Sequence, residues 1–173
     1  MVVYWVLYSY FAAGTFLHHH SRLSRISYAL LVVGGLFIAL MIGLRFEVGG
    51  DWFAYQRMYS FVRIATFEQI LALGDPGYQL LNWLAVQVGG GVLLVNLFCG
   101  AIFAWGLLAF ARVQANPWLA ILIAVPYLVI VVAMGYSRQG VAIGIHVPIK
   151  LLVPQIDLVL LVDVVAKVNL VAP

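Results

Sequence analysis

Long runs of apolar residues, separated by short polar stretches, dominate this sequence. The four longest cover residues 2–17, 28–44, 92–110 and 118–136. An α-helix needs about 20 apolar residues to cross a bilayer. The pattern therefore predicts an all-α fold, a polytopic integral membrane helix bundle of about four to five transmembrane helices.

A shorter apolar run covers residues 78–88, which is too few to cross a bilayer alone. Glycines at positions 89–91 separate it from the next run and permit a break in the helix. We expect either a short interfacial or re-entrant helix, or the outer end of one long kinked helix.

Single residues predict local features of these helices. Ser27 is a candidate N-cap for the second run, and Pro126 should kink the fourth because proline removes a backbone hydrogen bond. Gly144, four residues after a glycine at position 140, should allow close helix approach. Asn82 and Asn96 enter apolar surroundings, where hydrogen bonds between helices are the usual explanation.

Composition excludes a water-soluble globule and a nucleic-acid-binding protein. Hydrophobic residues make up 65% of the chain and charged residues 9%, against about a quarter charged in ordinary soluble domains. The net charge of +3 is too small and too scattered for a nucleic-acid surface. Cys99 is the single cysteine, so there is no intramolecular disulfide framework.

The positions of the basic residues predict an orientation, because loops rich in Lys and Arg stay in the cytoplasm. Arg22, Arg25 and Arg112 lie in short loops between apolar runs. We therefore place these loops in the cytoplasm and residues 45–77 on the outer side of the membrane, with the N-terminus outside.

Residues 45–59 form the most informative polar stretch. Gly49 and Gly50 allow a tight turn whose exposed amides could face an anion or cap a helix, and Asp51 fits as the N-cap of a helix that follows. Trp52 lies three residues before Tyr55, so both share one helix face with a tyrosine at position 59. The alternative interpretation is an aromatic belt at the membrane interface, with Arg45 as a snorkelling anchor.

Two further stretches carry candidate chemistry. Asp75 and Pro76 are suited to the cap and first position of a helix, although they could equally form a simple turn. Arg138 lies between two apolar runs, and an arginine at the bilayer centre costs about 2.5–3.5 kcal/mol. It should therefore face a cavity or an anion, unless it snorkels to the interface.

No metal site is predicted. His18 and the two histidines after it point in different directions on a helix or a strand, and residues 1–146 contain no DxD pair, P-loop, GxSxG or HExxH motif. Positive charge toward a phosphorylated substrate would have to come from arginine, whose donors match phosphate.

In their order and spacing, these stretches resemble the EpsG family of membrane proteins, relatives of Wzy-type polysaccharide polymerases. The matching residues are Arg45, Gly49, Asp51 and Tyr55, then Asp75, Tyr78, Leu80 and Asn82, and finally Arg138, Gln139 and Ala142.

The resemblance implies polymerisation of undecaprenyl-pyrophosphate-linked oligosaccharide units, for exopolysaccharide or O-antigen, in the bacterial cytoplasmic membrane. It implies a catalytic pair of Asp51 and Arg138, and no cofactor. The substrate-binding residues it implies are Arg45, Gly49, Gly50, Trp52, Tyr55, Asp75, Tyr78 and Gln139. The expected partners are the lipid-linked oligosaccharide, membrane lipid and other polysaccharide-assembly membrane proteins.

The last 27 residues differ in composition. Residues 147–173 contain no aromatic residue, glycine or arginine, but hold both lysines, Lys150 and Lys167. We expect an EpsG-like membrane region over 1–146 and an atypical tail over 147–173, either aberrant or a valine-rich terminal helix. Because EpsG relatives usually carry further spans, a truncated polymerase is the expectation. The alternatives are an inactive membrane remnant or a non-enzymatic subunit of an export or transport system.

Overall fold

The computed structural model describes residues 2–18, 24–72 and 76–152, and within these ranges every regular element is a helix. This confirms the predicted all-α class. The helices are α1 (Val2–Leu17), α2 (Arg25–Gly43), α3 (Trp52–Val62), α4 (Phe67–Ala72), α5 (Pro76–Val88), α6 (Gly91–Arg112), α7 (Pro117–Ala124) and α8 (Ser137–Leu152), with a π-helical segment (Val125–Ala133) after α7.

Two of the described helices are long and apolar enough to cross a membrane. Helices α2 and α6 contain 19 and 22 residues, with mean hydropathies of 2.3 and 2.2. At 1.5 Å per residue, both approach or exceed the roughly 30 Å hydrocarbon core. The other two predicted spans form shorter apolar helices, α1 and the α7–π unit, so the span count stays a prediction.

Helices α2 and α6 pack antiparallel and form the centre of the bundle. At one end, the Arg112 guanidinium carbon lies 5.1 Å from the centroid of the Tyr28 ring. At the other end, Gly43 leaves no room for a Cβ against Leu97. The end that carries Arg112 and Arg25 is called the basic end below, and the opposite end is called the Arg45 end.

Helix α8 runs parallel to α6 at very short range. A Cβ atom on Gly106 would overlap the backbone of Gly144, and one on Gly144 would lie 2.6 Å from the Ile102 carbonyl oxygen. The predicted close approach at Gly144 is thereby confirmed. Absence of a side chain at both positions is what lets the two backbones touch.

The start of α2 corrects one prediction. Ser24, not Ser27, is the N-cap, because its Oγ accepts a hydrogen bond from the Ser27 backbone N–H at 3.1 Å. The Ser27 hydroxyl instead accepts a bond of 2.9 Å from Trp118 Nε1 at the start of α7. Ser27 therefore joins α2 to α7, and Ser24 is the residue that caps α2.

The helix changes its winding next to Pro126, where the sequence predicts a kink. Helix α7 ends at Ala124, and the π-helical segment begins at Val125, next to the proline. Proline has no N–H to offer the preceding turn, and π-type winding is one way for a helix to continue past such a gap. The segment ends two residues before Gly135, close to the Arg45 end.

Helix α5 is a separate helix that folds back along α6. Gly89 and Gly91 adopt φ of 73° and 65°, values that favour glycine, and they break the chain between the two helices. Tyr78 and Ala85 of α5 then share one buried cluster with Cys99 of α6. Because α5 folds back along α6, the two cannot form one long kinked helix. The other prediction, a separate short helix, remains.

Candidate functional site

The loop between α2 and α3 packs against the turn that precedes α8. Gly49 has a φ of 102°, and a Cβ atom there would lie 2.8 Å from the carbonyl oxygen of Gly135. Only glycine fits both the conformation and the contact. Glu47 also has a positive φ, 52°, so two residues of this short loop hold uncommon conformations. The loop carries Arg45 into the interior of the Arg45 end.

Arg45 is buried, with 4% of its surface exposed, and is held by a chain of hydrogen bonds. Its Nη2 donates to the Ser137 hydroxyl at the start of α8. That hydroxyl in turn lies 3.4 Å from Oδ1 of Asn96 on α6, to which it can donate. Two hydrogen bonds through Ser137 therefore link the Arg45 loop, α8 and α6. The second bond confirms the prediction that Asn96 bonds between helices.

Several buried donors around this chain have no acceptor among the described residues. They are Nε and Nη1 of Arg45, Nδ2 of Asn96, and the hydroxyls of Tyr55 and Tyr78. A buried donor without an acceptor costs about 1–3 kcal/mol, and more when it is charged. Native structures rarely tolerate such groups without a reason. Donors grouped around a buried cation are complementary to an anion.

Tyr55 contacts both Tyr78 and Arg138. The Tyr55 and Tyr78 ring centroids are 5.4 Å apart at an interplanar angle of 46°. The guanidinium carbon of Arg138 is 6.0 Å from the Tyr55 centroid, at the outer limit of a cation–π contact. Tyr55 thus brings the second arginine, from α8, to the same cluster.

Burial changes the acid–base properties of this cluster. Removal from water lowers the pKa of Arg45 from its ordinary value, while Tyr55, Tyr78 and Asp51 act in the opposite direction. Arginine starts so high that it remains charged. Burial raises the pKa of Tyr55, although Arg138 partly opposes the shift. The Tyr55 phenol is therefore protonated at neutral pH and can donate a hydrogen bond.

Comparison with known protein families matches residues 28–155 to the EpsG family. The chain belongs to the EpsG family. The match includes every residue of the Arg45 chain of hydrogen bonds, together with Tyr55, Tyr78 and Arg138. Comparisons with curated proteins and with solved structures found no significant match.

EpsG membership supports a membrane protein of polysaccharide biosynthesis in general terms. The matched region begins after α1 and continues nine residues beyond residue 146, the last residue before the predicted tail. Helix α8 also passes residue 146 without interruption. Most of the tail, residues 153–173, lies outside the described residues, and the division at 146 stays a prediction.

Asp51 occupies the predicted place but lacks the predicted hydrogen bond. It stands at the N-cap position of α3, yet its side chain makes no capping bond. It also makes no hydrogen bond to Arg45, and the residue that contacts Arg45 is Ser137. Asp51 still raises the pKa of Arg45 through its charge, so it lies within electrostatic range of the Arg45 guanidinium.

Trp52 and Tyr55 are both buried on one face of α3, as the spacing predicts. The Trp52 ring centroid is 5.7 Å from that of Phe46 in the preceding loop, and its Nε1 has no hydrogen-bond partner among the described residues. Gly50 is exposed, and a Cβ there would meet nothing within 4 Å. The tight contact of the loop is therefore made by Gly49.

The remaining predicted residues are less fully described. Helix α5 begins at Pro76, as predicted, whereas Asp75 lies outside the described residues. Gln139 is half-buried in the first turn of α8, directly after Arg138. Among the described residues, no group of three or more His, Cys, Asp or Glu side chains could hold a metal ion.

The sequence pattern did not identify Ser137 as part of the site. It also did not select Gln79, the neighbour of Tyr78 on α5, which is buried and whose Oε1 has no partner among the described residues. Neither residue carries a strong signal, because serine and glutamine are common near helix starts.

Asn82 corrects a prediction: its Nδ2 donates to the Tyr78 carbonyl oxygen of its own helix, at 3.1 Å. Of these two asparagines, Asn96 is the one that bonds to another helix.

Proposed function

We propose that this EpsG-family chain polymerises undecaprenyl-pyrophosphate-linked oligosaccharide units by glycosyl transfer. The observation that carries the proposal is the buried Arg45, whose Nε and Nη1 have no acceptor in the described part of the chain. Such a cation, with Arg138 against the neighbouring Tyr55, suits the diphosphate of a lipid-linked sugar.

The reaction needs stabilisation of its leaving group. A hydroxyl oxygen of one unit attacks the anomeric carbon of another, the bond from that carbon to the diphosphate breaks, and its electron pair leaves with the lipid diphosphate. Arg45 and Arg138 stabilise this developing negative charge, because fixed donors in a water-poor site need little reorganisation. The proton of the attacking hydroxyl passes to a base, for which Asp51 is the candidate.

The aromatic residues position these groups. Tyr55 is buried, with Tyr78 and Arg138 against its ring, and Trp52 is buried beside Phe46. Rings that are already covered by protein are poorly placed to stack on a sugar. In the proposal Tyr55 therefore holds Arg138, and Trp52 holds the loop that carries Arg45.

The proposed orientation follows from the two ends of the bundle. Arg25 and Arg112 lie at the basic end, opposite the loop that carries Arg45. Under the positive-inside rule, the basic end faces the cytoplasm and residues 45–77 face outward in the bacterial cytoplasmic membrane. The lipid-linked oligosaccharide would then meet Arg45 on the outer side, beside membrane lipid and other polysaccharide-assembly proteins.

A complementation experiment tests the function. A bacterial strain that lacks its own EpsG-type polymerase receives this chain, and polymer length is measured on a gel. We expect polymer from the unmodified chain and none from Arg45→Ala or Arg138→Ala. Arg57→Ala is the matched control, because Arg57 is exposed on α3, and it should support normal polymer.

Protein amounts in the membrane fraction must be equal for the three variants. Polymer of normal length from Arg45→Ala or Arg138→Ala would remove the arginines from the reaction. No polymer from the unmodified chain would instead favour a non-enzymatic role for it.

A further inference from the structure

We propose that Asn96 and Tyr78 donate hydrogen bonds to a diphosphate group held by Arg45, and that Ser137 is the positioning residue that orients Arg45 toward it. The inference rests on the proposed function in one respect, since that function supplies a lipid-linked diphosphate as ligand. It adds Asn96 of α6 to the site and gives Tyr78 of α5 a defined role there, beside the Arg45 loop, α3 and α8.

The Ser137 hydroxyl fixes which atoms are left for a ligand. It accepts a bond from Nη2 of Arg45 and donates to Oδ1 of Asn96. One nitrogen of the guanidinium is thereby occupied, and Nε and Nη1 remain. In the same way, the Asn96 amide uses its oxygen toward Ser137 and keeps Nδ2 for another partner.

Tyr78 adds a neutral donor from α5. Its side chain is 5% exposed and its hydroxyl has no partner among the described residues. Its ring contacts Tyr55, which in turn contacts Arg138, so the hydroxyl belongs to the same cluster as both arginines.

The chemistry of the unpartnered atoms selects the class of ligand. Guanidinium N–H, amide N–H and phenol O–H groups all donate, and a phosphoryl group offers only acceptor oxygens at neutral pH. A cationic ligand would be repelled by Arg45. Two arginines in one cluster favour two phosphoryl groups over one, hence a diphosphate, free or lipid-linked.

Direct binding measurements test the two donors. The full chain, in nanodiscs of phosphatidylethanolamine and phosphatidylglycerol, is titrated with inorganic pyrophosphate in one arm and with undecaprenyl diphosphate in the other. Asn96→Leu and Tyr78→Phe should each weaken binding by about tenfold or more, as expected when a hydrogen bond to a charged group is lost. Tyr59→Phe, a half-buried tyrosine of α3, is the control and should bind normally.

The two arms distinguish the sources of the diphosphate. Weaker binding in both arms assigns the site to free and lipid-linked diphosphate, and weaker binding of the lipid alone assigns it to the lipid-linked form. Unchanged binding of both ligands by both variants, or no binding by the unmodified chain, overturns the proposal. If binding falls as expected but the unmodified chain makes no polymer, the proposed function fails and the site stands.

The positioning role of Ser137 is tested by a measurement that a purely structural role would leave unchanged. Ser137→Ala should weaken diphosphate binding, and Ser137→Thr, which keeps a hydroxyl, should restore it. Thermal unfolding of the same samples gives the fraction folded at the titration temperature. Equal affinities for the folded Ser137→Ala and unmodified proteins would contradict the positioning role.

Discussion

The Arg45 guanidinium donates a hydrogen bond to the hydroxyl of Ser137, a residue 92 positions later in the chain. This contact links the loop after α2 to the first turn of α8 inside the protein. Because Ser137 also contacts Asn96 on α6, it couples the fold of the Arg45 end to the placement of its buried charge. A change at Ser137 should therefore affect both stability and ligand binding.

The stability effect gives the first prediction. Ser137→Ala leaves a further buried Arg45 nitrogen and the Asn96 oxygen without partners, so we expect a loss of about 1–3 kcal/mol in the free energy of unfolding. Denaturant unfolding in detergent measures it. Ser60→Ala, at an exposed serine of α3, should stay within about 0.5 kcal/mol of the unmodified chain. Equal effects of the two substitutions would contradict the role of the Arg45 contact.

The contact between Tyr55 and Arg138 gives the second prediction. Tyr55→Phe keeps the ring against the guanidinium, whereas Tyr55→Leu removes it. A cation–π contact is worth about 0.5–2 kcal/mol, which corresponds to a roughly 2- to 30-fold difference. We expect the polymer yield of Tyr55→Leu, normalised to protein in the membrane, to be lower than that of Tyr55→Phe by a factor in this range. Equal yields would show that the ring does not position Arg138.

The third prediction concerns the Tyr55 hydroxyl. Burial raises the pKa of this phenol above its ordinary value of 10.0, so it should still be protonated at a pH where an exposed tyrosine is half ionised. Phenolate absorbance is followed through an alkaline titration of the unmodified chain and of Tyr55→Phe. The difference between the curves should rise above pH 10. A difference that is complete by pH 10 would place the hydroxyl in water.

Local patterns in the sequence predicted the elements of this fold well. The apolar runs form helices because a helix pairs the backbone N–H and C=O groups of an apolar segment within that same segment. Gly144 was correctly placed at a close helix contact, and the glycines after residue 88 at a chain break. Capping was harder, because Ser24 and Ser27 are three residues apart and both are suited to the role. Ser27 instead bonds to Trp118, a partner distant in the sequence.

The sequence predicted most of the residues that form the site, but not which of them contact each other. Arg45, Tyr55, Tyr78 and Arg138 were all selected, and the structure brings them together. Asp51, the acidic residue predicted beside Arg45, makes no hydrogen bond to it, and the contact is made by Ser137. A serine hydroxyl gives no periodic or compositional signal, and a partner 92 residues away depends on how α8 packs against α6.

The packing of α8 on α6 is the subject of the last prediction. Gly106→Ala would place a methyl group against the Gly144 carbonyl group and Cα. These are backbone atoms, which cannot rotate away as a side chain does, so the helices would have to separate. Overpacking of this kind costs about 1–3 kcal/mol, and we expect a lower midpoint of thermal unfolding in detergent.

Gly77→Ala is the matched control for Gly106→Ala, because Gly77 is also helical but a Cβ there meets nothing within 4 Å. Alanine at position 77 should raise stability by about 0.5–1 kcal/mol, since glycine loses more backbone entropy on folding. The two substitutions are chemically identical, so their opposite signs would isolate the helix contact from helix propensity. A rise in the midpoint for both would mean that α6 and α8 are not in backbone contact, and Ser137 would then lose the support that brings it to Arg45.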